Sequence, residues 1–298
     1  MKTNNFLRKT ASMMAVALLG FAFSCQEDEA PYQTESAYVA EESVTDSYYD
    51  DADDMGLVAV SSESGTAGGK LSSESSGLLE VNDDRLCALV AIAFDEASTL
   101  AFPIGTITID FGAGCDDPRG NRRSGKIFIR FSGRRFLPGS TIVITFENYV
   151  INGIKLSGKR TLTNISGSVE EAPKFQIELE NGLAVWPDGT EATREHCFVR
   201  TWNRGVLINP SDDVLVVSQC GDADVAASGT NRRGVEYSMI IQSDLIYKRG
   251  CPIAVQGVKI FRFNGKEIVV DYGTGECDNI ITITVDGNAH SVNVRKRG

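Results

Sequence analysis

Residues 105–111 read Gly-Thr-Ile-Thr-Ile-Asp-Phe, residues 126–131 read Lys-Ile-Phe-Ile-Arg-Phe, and residues 278–285 read Asp-Asn-Ile-Ile-Thr-Ile-Thr-Val. Apolar and polar side chains alternate in each stretch, and this period of two is typical of β-strands with one buried face. We therefore predict an all-β fold of about twelve to fourteen strands, an antiparallel meander that forms either one sheet or a sandwich of two. From residue 85 onward the sequence shows no convincing long amphipathic helix, and Leu86–Ala97 is interpreted as a strand.

Turn dipeptides divide the strand-like stretches from one another. Asn-Gly and Asp-Gly pairs accept positive φ at both central positions, as two-residue hairpins require. The pairs are Asn152-Gly153, Asn181-Gly182, Asp188-Gly189, Asn264-Gly265 and Asp286-Gly287.

The two ends of the β-rich part resemble each other. Residues 109–115 read Ile-Asp-Phe-Gly-Ala-Gly-Cys, and residues 270–277 read Val-Asp-Tyr-Gly-Thr-Gly-Glu-Cys. Each has an aspartate, an aromatic residue, a Gly-x-Gly segment and a cysteine. This indicates an internal repeat with copies at residues 87–133 and 251–287.

The sequence has seven cysteines, and six of them lie in the β-rich part. An even number in an exported protein suggests disulfides, whereas the lack of any Cys-x-x-Cys pair disfavours a metal site. Each predicted pair flanks one turn, as opposed positions of a hairpin do. The predicted bridges are Cys87–Cys115, Cys197–Cys220 and Cys251–Cys277.

The seventh cysteine, Cys25, follows an export signal in residues 1–24. Lys2, Arg8 and Lys9 precede an apolar run from Ala11 to Phe23, which is shorter than the roughly 20 residues that span a bilayer. The segment Ala-Phe-Ser-Cys at residues 22–25 resembles the lipobox of bacterial lipoproteins, although Phe23 departs from the usual small residue. The resemblance implies lipidation at Cys25. The alternative is a plain secreted protein whose Cys25 pairs with another thiol.

The next residues, Gln-Glu-Asp-Glu at 26–29, are similar to the acidic export tag of Bacteroidota surface lipoproteins. The repeated Asp-aromatic-Gly-x-Gly segment also resembles lipoproteins of this kind. These resemblances imply a protein that is held by its lipid anchor in the outer membrane and faces the cell exterior. They imply no activity and no cofactor.

Charge separates residues 25–84 from residues 85–298. The first range carries −15, while the second, which we call the body, carries +1. High net charge with little apolar periodicity is typical of disorder. We therefore predict a disordered tether over residues 25–84 and a single all-β domain over residues 85–298. An acidic tail that binds cations is the alternative for the tether.

Several polar sets in the body are candidate binding residues. Arginines and lysines crowd one predicted hairpin, where they either form a solvated face or bind an anionic glycan, lipid headgroup or protein. Asp110 and Asp271 end equivalent strands, and they either close Asx turns or ligate calcium. The rings of Trp186, Trp202 and Tyr149 either pack in the core or stack on sugars. The candidate anion-binding residues are Arg119, Arg122, Arg123, Lys126 and Arg130, with Arg134 and Arg135 completing the set.

The sequence lacks the motifs of common catalytic sites, since it has no Gly-x-Ser-x-Gly, His-Glu-x-x-His or phosphate-loop segment. Its two histidines, His196 and His290, are interpreted as structural or surface residues. We expect a non-enzymatic surface module without a cofactor, for which nucleic acid is an unsuitable partner because the protein is exported. The alternative is a glycosidase that uses paired carboxylates such as Glu147 and Glu178.

Overall fold

A computed structural model describes residues 29–65, 77–79, 86–205, 212–221, 223–251 and 253–293. Cys25 and the signal segment before it lie outside the described residues. One long helix, α1 (Glu29–Gly65), precedes the strands. The strands are β1 (Gly77–Leu79), β2 (Leu89–Phe94), β3 (Ile104–Asp110), β4 (Cys115–Asp116), β5 (Arg122–Ser132), β6 (Thr141–Ile151), β7 (Ile154–Asn164), β8 (Lys174–Val185), β9 (Glu191–Asn203), β10 (Val214–Gln219), β11 (Ala227–Thr230), β12 (Glu236–Lys248), β13 (Gln256–Phe263), β14 (Lys266–Thr274), β15 (Ile280–Val285) and β16 (Asn288–Asn293).

The strands form one antiparallel sheet of sixteen, so the predicted all-β meander is confirmed and the single sheet replaces the sandwich. Neighbours in the sheet follow chain order from β1 to β16, except that β4 pairs with β5 alone and β11 fits between β9 and β12. Fifteen of the described strands lie in the body, for which twelve to fourteen were expected, because a strand as short as β4, with two residues, leaves no alternating pattern to detect.

The Asn-Gly dipeptides that were predicted to form hairpin turns do not all lie in turns, because one of them lies in a β-bulge. The pair at 152–153 joins β6 to β7, but Asn181-Gly182 lies inside β8, where the register against β9 shifts. A related bulge in β6 has Asn148 at φ 48° opposite Gly125 of β5 at φ 78°. A Cβ on Gly125 would lie 2.2 Å from the Asn148 carbonyl oxygen, so only glycine fits there.

The β6 bulge changes which residues of that strand face inward. Before it, Ile142 and Ile144 are buried, and after it Tyr149 and Ile151 are buried, so the parity of the buried positions reverses. An inserted residue has this effect because side chains alternate with a period of two.

Helix α1 corrects the prediction of a disordered tether across residues 25–84, which contains it. Its side chains at Tyr49, Ala52, Asp53 and Met55 are at most 1% exposed, and the helix packs on β3, β5, β6 and β15. The buried face of α1 carries carboxylates as well as apolar groups. The prediction failed because the high density of acidic residues was interpreted as evidence that the segment is exposed to solvent. Within the described part of the chain, no helix is both long and apolar enough to cross a bilayer.

Two apolar clusters lie between the sheet and α1. One joins strands β2 to β8 with Tyr49, Ala52 and Met55 of the helix. The other joins strands β9 to β16 with Val39, which lies nearer the start of the helix. Helix α1 therefore contributes to both halves of the core, and this arrangement makes it part of the domain.

The three predicted disulfides are confirmed. Cys87–Cys115, Cys197–Cys220 and Cys251–Cys277 are bonded, with Cα–Cα distances of 5.9, 5.6 and 5.5 Å. The first and third lie in the two copies of the repeat, beside strands β3 and β14.

Candidate functional site

Four of the seven cations of the predicted basic hairpin are paired with carboxylates, namely Arg122, Arg123, Lys126 and Arg130. The side chains of Lys126 and Arg130 share the outer face of β5, as alternation requires, but Lys126 Nζ lies 3.2 Å from Asp110 and Arg130 binds Asp95 through two nitrogens. Arg122 lies 2.8 Å from Asp116. These pairs are cross-strand or local, so they leave little free charge for an external anion.

Arg123 faces inward and is 1% exposed. Its guanidinium makes two hydrogen bonds to Asp51 of α1, at 2.7 and 3.1 Å, and a third to Asp117 at 2.6 Å. Because all three of its nitrogens bind carboxylates, Arg123 holds the helix on the sheet and does not face solvent.

Asp110 and Asp271 have equivalent local structures in the two repeat copies. The side chain of Asp110 accepts a hydrogen bond from the Gly112 amide, and that of Asp271 accepts one from Gly273, each at 2.8 Å. These are the Asx turns that were one of the two expected outcomes. Among the described residues, no three histidine, cysteine or carboxylate groups are placed to hold a metal ion.

The two carboxylates of the hydrolase alternative, Glu147 and Glu178, lie on strands β6 and β8. Glu178 is opposite Thr161, which is opposite Val143, so Glu147 is two strands and four residues away. Strand spacing and rise put this separation at about 16 Å. Glycosidase carboxyl pairs lie about 5–10 Å apart. This pair therefore does not have the geometry of that reaction.

Four arginines on the inner face of the sheet bind the carboxylates of α1, and we call them the inner-face arginines: Arg123, Arg160, Arg194 and Arg200. Arg160 of β7 is fully buried and contacts Asp50 at 2.8 Å and Asp53 at 2.6 Å. Arg200 of β9 shares both of these aspartates. Asp50 and Asp53 of the helix are therefore each shared by two arginines of the sheet, and these ion pairs join the two elements.

Arg194 of β9 extends this network toward the start of the helix. It binds Glu42, lies 3.0 Å from Asp46, and donates a hydrogen bond to His196 Nδ1 at 3.1 Å. Burial, and then the nearby Arg160 and Arg194, lower the pKa of His196 well below its usual value. His196 is thus neutral and structural, as expected from the sequence.

Burial and the arginines act in opposite directions on the aspartates of α1. Burial raises the pKa of Asp53 to about 6 despite Arg160 and Arg200. Burial also opposes ionisation of Asp50, but Arg200 and Arg160 outweigh it and lower the pKa of Asp50 to about 2. Asp50 therefore stays ionised at all physiological pH values, whereas Asp53 titrates near neutrality.

The sequence contained a signal for this network that was not recognised. Glu42, Asp46 and Asp50 recur every four residues, and such spacing places them on one side of a helix. On the sheet, Arg194 is in phase with buried His196 and Phe198 along β9. A charged residue that alternates in register with buried residues along a strand indicates a buried ion pair.

Arginines without acidic partners gather at one end of the sheet, around a recess of about 420 Å³. The β5–β6 turn supplies Arg134 to Leu137, the β7–β8 loop supplies residues 166–173, and Arg204 follows β9. We call this feature the arginine–aromatic recess. Asn164 and Ser140 fix its wall, because both donate side-chain hydrogen bonds to the Arg135 carbonyl, at 2.9 and 3.0 Å.

Phe136 lies between two guanidinium groups in this recess. Arg135 is 5.0 Å and Arg204 is 4.9 Å from its ring centroid. Arg135 also contacts the ring of Phe175, and Arg204 that of Trp202 at 4.8 Å. These are cation–π distances, and they account for a partly exposed phenylalanine at the surface.

The recess is electrostatically unbalanced. In the described part of the chain, the guanidinium groups of Arg135 and Arg204 have ring contacts but no ion pair with a carboxylate. Burial, followed by repulsion from Arg204, lowers the pKa of Arg135, and the more weakly acting Asp53 and Asp54 oppose this shift. Glu171 also lines the recess, where its carboxylate accepts a hydrogen bond from the Gly167 amide. The remaining excess of positive charge favours an anion.

Of the predicted aromatic candidates, Trp202 packs behind the recess, against its lining residues Phe136 and Arg204. Trp186 lies elsewhere, under the guanidinium of Arg232, at 4.9 Å. Tyr149 is fully buried and packs on Phe111 and Phe146, so it belongs to the core. Arg204 was not among the predicted residues, because it lies 69 positions after Arg135 and only the sheet brings the two close.

Comparisons with protein-family models, with curated proteins and with solved structures found no match.

Proposed function

We propose that the protein is a lipid-anchored, non-enzymatic surface module that binds an anionic ligand, foremost an anionic glycan, in the arginine–aromatic recess. The observation that carries this proposal is the pair Arg135 and Arg204, which flank Phe136 without a carboxylate partner among the described residues. Arg135 is half-buried and Arg204 is exposed, and the positive charge of Arg204 disfavours the charged form of Arg135. A bound carboxylate, sulfate or phosphate would relieve that repulsion.

The chemistry of the recess suits a charged sugar polymer. Guanidinium groups bind planar oxyanions through paired hydrogen bonds. Phe136 is 39% exposed and offers apolar surface beside the guanidinium groups, against which a sugar ring could pack.

Binding to immobilised heparin, polygalacturonate and uncharged dextran tests the ligand class. The double variant R135Q/R204Q should lose retention on both anionic matrices, and the unchanged protein should not bind dextran. Retention should weaken steeply with salt, because exposed charges are screened beyond about 8–10 Å at physiological ionic strength.

The matched control is R122Q/R130Q, which removes the same charge from two arginines that already have carboxylate partners. This variant should keep most of the retention. Equal losses in the two double variants would mean that net charge, and not the recess, causes binding. A larger loss in the control would place the site on the basic hairpin instead.

The lipid anchor is tested separately. The variant C25A should move the protein from the membrane to the soluble fraction, since the resemblance of residues 22–25 to a lipobox implies that the acyl chains are attached at Cys25. Unchanged membrane fractionation would contradict the anchor. Protease treatment of intact cells tests separately whether the anchored protein faces the cell exterior, and an exposed protein should be degraded.

A further inference from the structure

Lys259 is a buried cation without an anionic partner at its amino group. It lies on β13, is 8% exposed, and is in phase with the buried Phe261 and Phe263. Its cross-strand neighbours are Ile241 of β12 and Val270 of β14, both apolar. Within the described residues, Nζ makes no hydrogen bond or ion pair, and its ring contact with Tyr272 is long, at 6.0 Å.

A buried ammonium without acceptors is costly, because desolvation is not offset by a hydrogen bond. Burial acts to lower the pKa of Lys259, but Tyr272, Tyr247 and Asp46 together raise it above its usual value. The side chain therefore remains charged. Its donors are available to any acceptor that enters the space in front of it.

That space is a cavity of about 250 Å³ between α1 and strands β9, β10, β12 and β13. One wall is apolar and includes Phe198, Val217 and Leu245. The polar end has Lys259 and also Arg200, whose Nε is buried without a hydrogen-bond partner in the described part of the chain.

Aspartates of α1 also line the cavity, but their charge is already used by arginines. Asp50 binds Arg160 and Arg200, and Asp46 lies 3.0 Å from Arg194. Asp54 and Tyr247 line the cavity too, and Asp46 Oδ1 is a buried acceptor without a hydrogen bond among the described residues. The N–H donors of Lys259 Nζ and Arg200 Nε outnumber that unpaired acceptor, so the cavity retains unused hydrogen-bond donors.

We propose that this cavity is a second binding site, distinct from the recess, for a small carboxylate with a short apolar chain. The carboxylate would accept hydrogen bonds from Lys259 Nζ and Arg200 Nε, while the chain would lie against Phe198, Val217 and Leu245. A cavity of this size has room for a carboxylate of about six carbons.

Isothermal titration of the protein with hexanoate tests the proposal directly. Hexan-1-ol and hexylamine have the same chain with a neutral or a positive head, and dodecanoate has the same head with a chain that is too long. Hexanoate should bind, the alcohol should bind about tenfold more weakly or worse, and the amine should not bind. Absence of hexanoate binding, or preference for the amine, would overturn the proposal.

Variants then locate the site. K259M should weaken hexanoate binding about tenfold or more, whereas K259R, which retains the charge, should preserve most of it. The matched control is K155M, which changes an exposed lysine on β7. L215W should abolish binding by filling the cavity without changing its charge. Equal affinity in K259M and the unchanged protein would refute the assignment.

Two further measurements separate binding in this cavity from a folding defect and from binding in the recess. The thermal midpoint of K259M should not fall, because replacing an unpartnered buried charge by an apolar side chain of similar length is neutral or stabilising. Loss of binding in K259M is then not a loss of folding. The recess variant R135Q/R204Q should bind hexanoate normally, so failure of the proposed function and failure of this inference are distinguishable.

Discussion

Asp53 of α1 and Arg160 of β7 form an ion pair 2.6 Å long, in which the arginine side chain is fully buried and that of the aspartate is 1% exposed. Ala52 and Met55 of the helix and Leu162 of β7 belong to the same apolar cluster, so the pair joins two elements that also share apolar contacts. Removing one member of such a pair leaves an uncompensated buried charge, which destabilises a protein by about 3–5 kcal/mol. The helix and the sheet therefore depend on each other for stability.

Removal of α1 should prevent stable folding. A chain that begins at residue 66 lacks the partners of Arg160 and Arg194 and the apolar contacts of Tyr49 and Met55. Loss of partners at two fully buried arginines approaches the total stability of a typical domain, about 5–15 kcal/mol. Thermal unfolding monitored by circular dichroism checks this, with a chain that begins at residue 29 as control. Equal midpoints for the two chains would restore the interpretation of the segment as a removable tether.

The variant D53N should change how stability depends on pH. Burial raises the pKa of Asp53 from 3.8 to about 6. A raised carboxyl pKa contributes stability that is full below pH 3.8 and is lost as the pH rises through about 6. D53N removes this loss, so between pH 4 and 7 its unfolding free energy should rise relative to the unchanged protein, by up to about 3 kcal/mol.

Urea unfolding at several pH values measures that difference. D188N is a suitable control, since Asp188 is exposed and its pKa is lowered to about 2 by Thr190 and Arg232. Its pH dependence should have the opposite sign and lie below pH 4. If the unfolding free energies of D53N and the unchanged protein differed by the same amount at every pH from 4 to 7, the pKa of Asp53 would not be higher in the folded state than in the unfolded state.

His196 should destabilise the fold at acidic pH. Burial and the neighbouring arginines lower its folded pKa below 6.5, so its contribution is present above pH 6.5 and is lost as the pH falls below it. H196Q keeps an acceptor for Arg194 but cannot be protonated. Its unfolding free energy should therefore fall less than that of the unchanged protein between pH 6.5 and 5. NMR titration of His196 should show a neutral ring at pH 6, and an ordinary titration near 6.5 would contradict this.

The variant G125A should be strongly destabilising. The residue has positive φ, and an added Cβ would meet the Asn148 carbonyl at 2.2 Å. Strained conformations of this kind cost about 1–3 kcal/mol, and the collision adds to that. G112A is the matched control, because Gly112 also has positive φ but open space around its Cβ, and it should lose only about 1 kcal/mol. Equal losses in chemical unfolding would show that the β6 bulge relaxes without cost.

Much of the sheet could be predicted from local sequence. The alternation at 126–131 and 278–285 identified β5 and β15, because one buried face imposes a period of two. The three disulfides followed from the same reasoning, since residues at matching distances from a hairpin turn lie opposite each other. Asn181-Gly182 was misassigned as a turn because a bulge needs the same positive φ as a hairpin.

The sequence by itself determined the strands, the order in which they pair and the bonding of the six cysteines, because each depends on residues near one another in the chain. Only the tertiary structure decided the role of the acidic segment and the place of free positive charge. Whether Asp53 is solvated or buried depends on Arg160, more than 100 residues away, and whether Arg135 is neutralised depends on which loops meet beside it. A charged side chain can be either solvated or buried in an ion pair, because the free energy of the ionised group depends on the neighbours that folding brings to it and not on the composition of the segment.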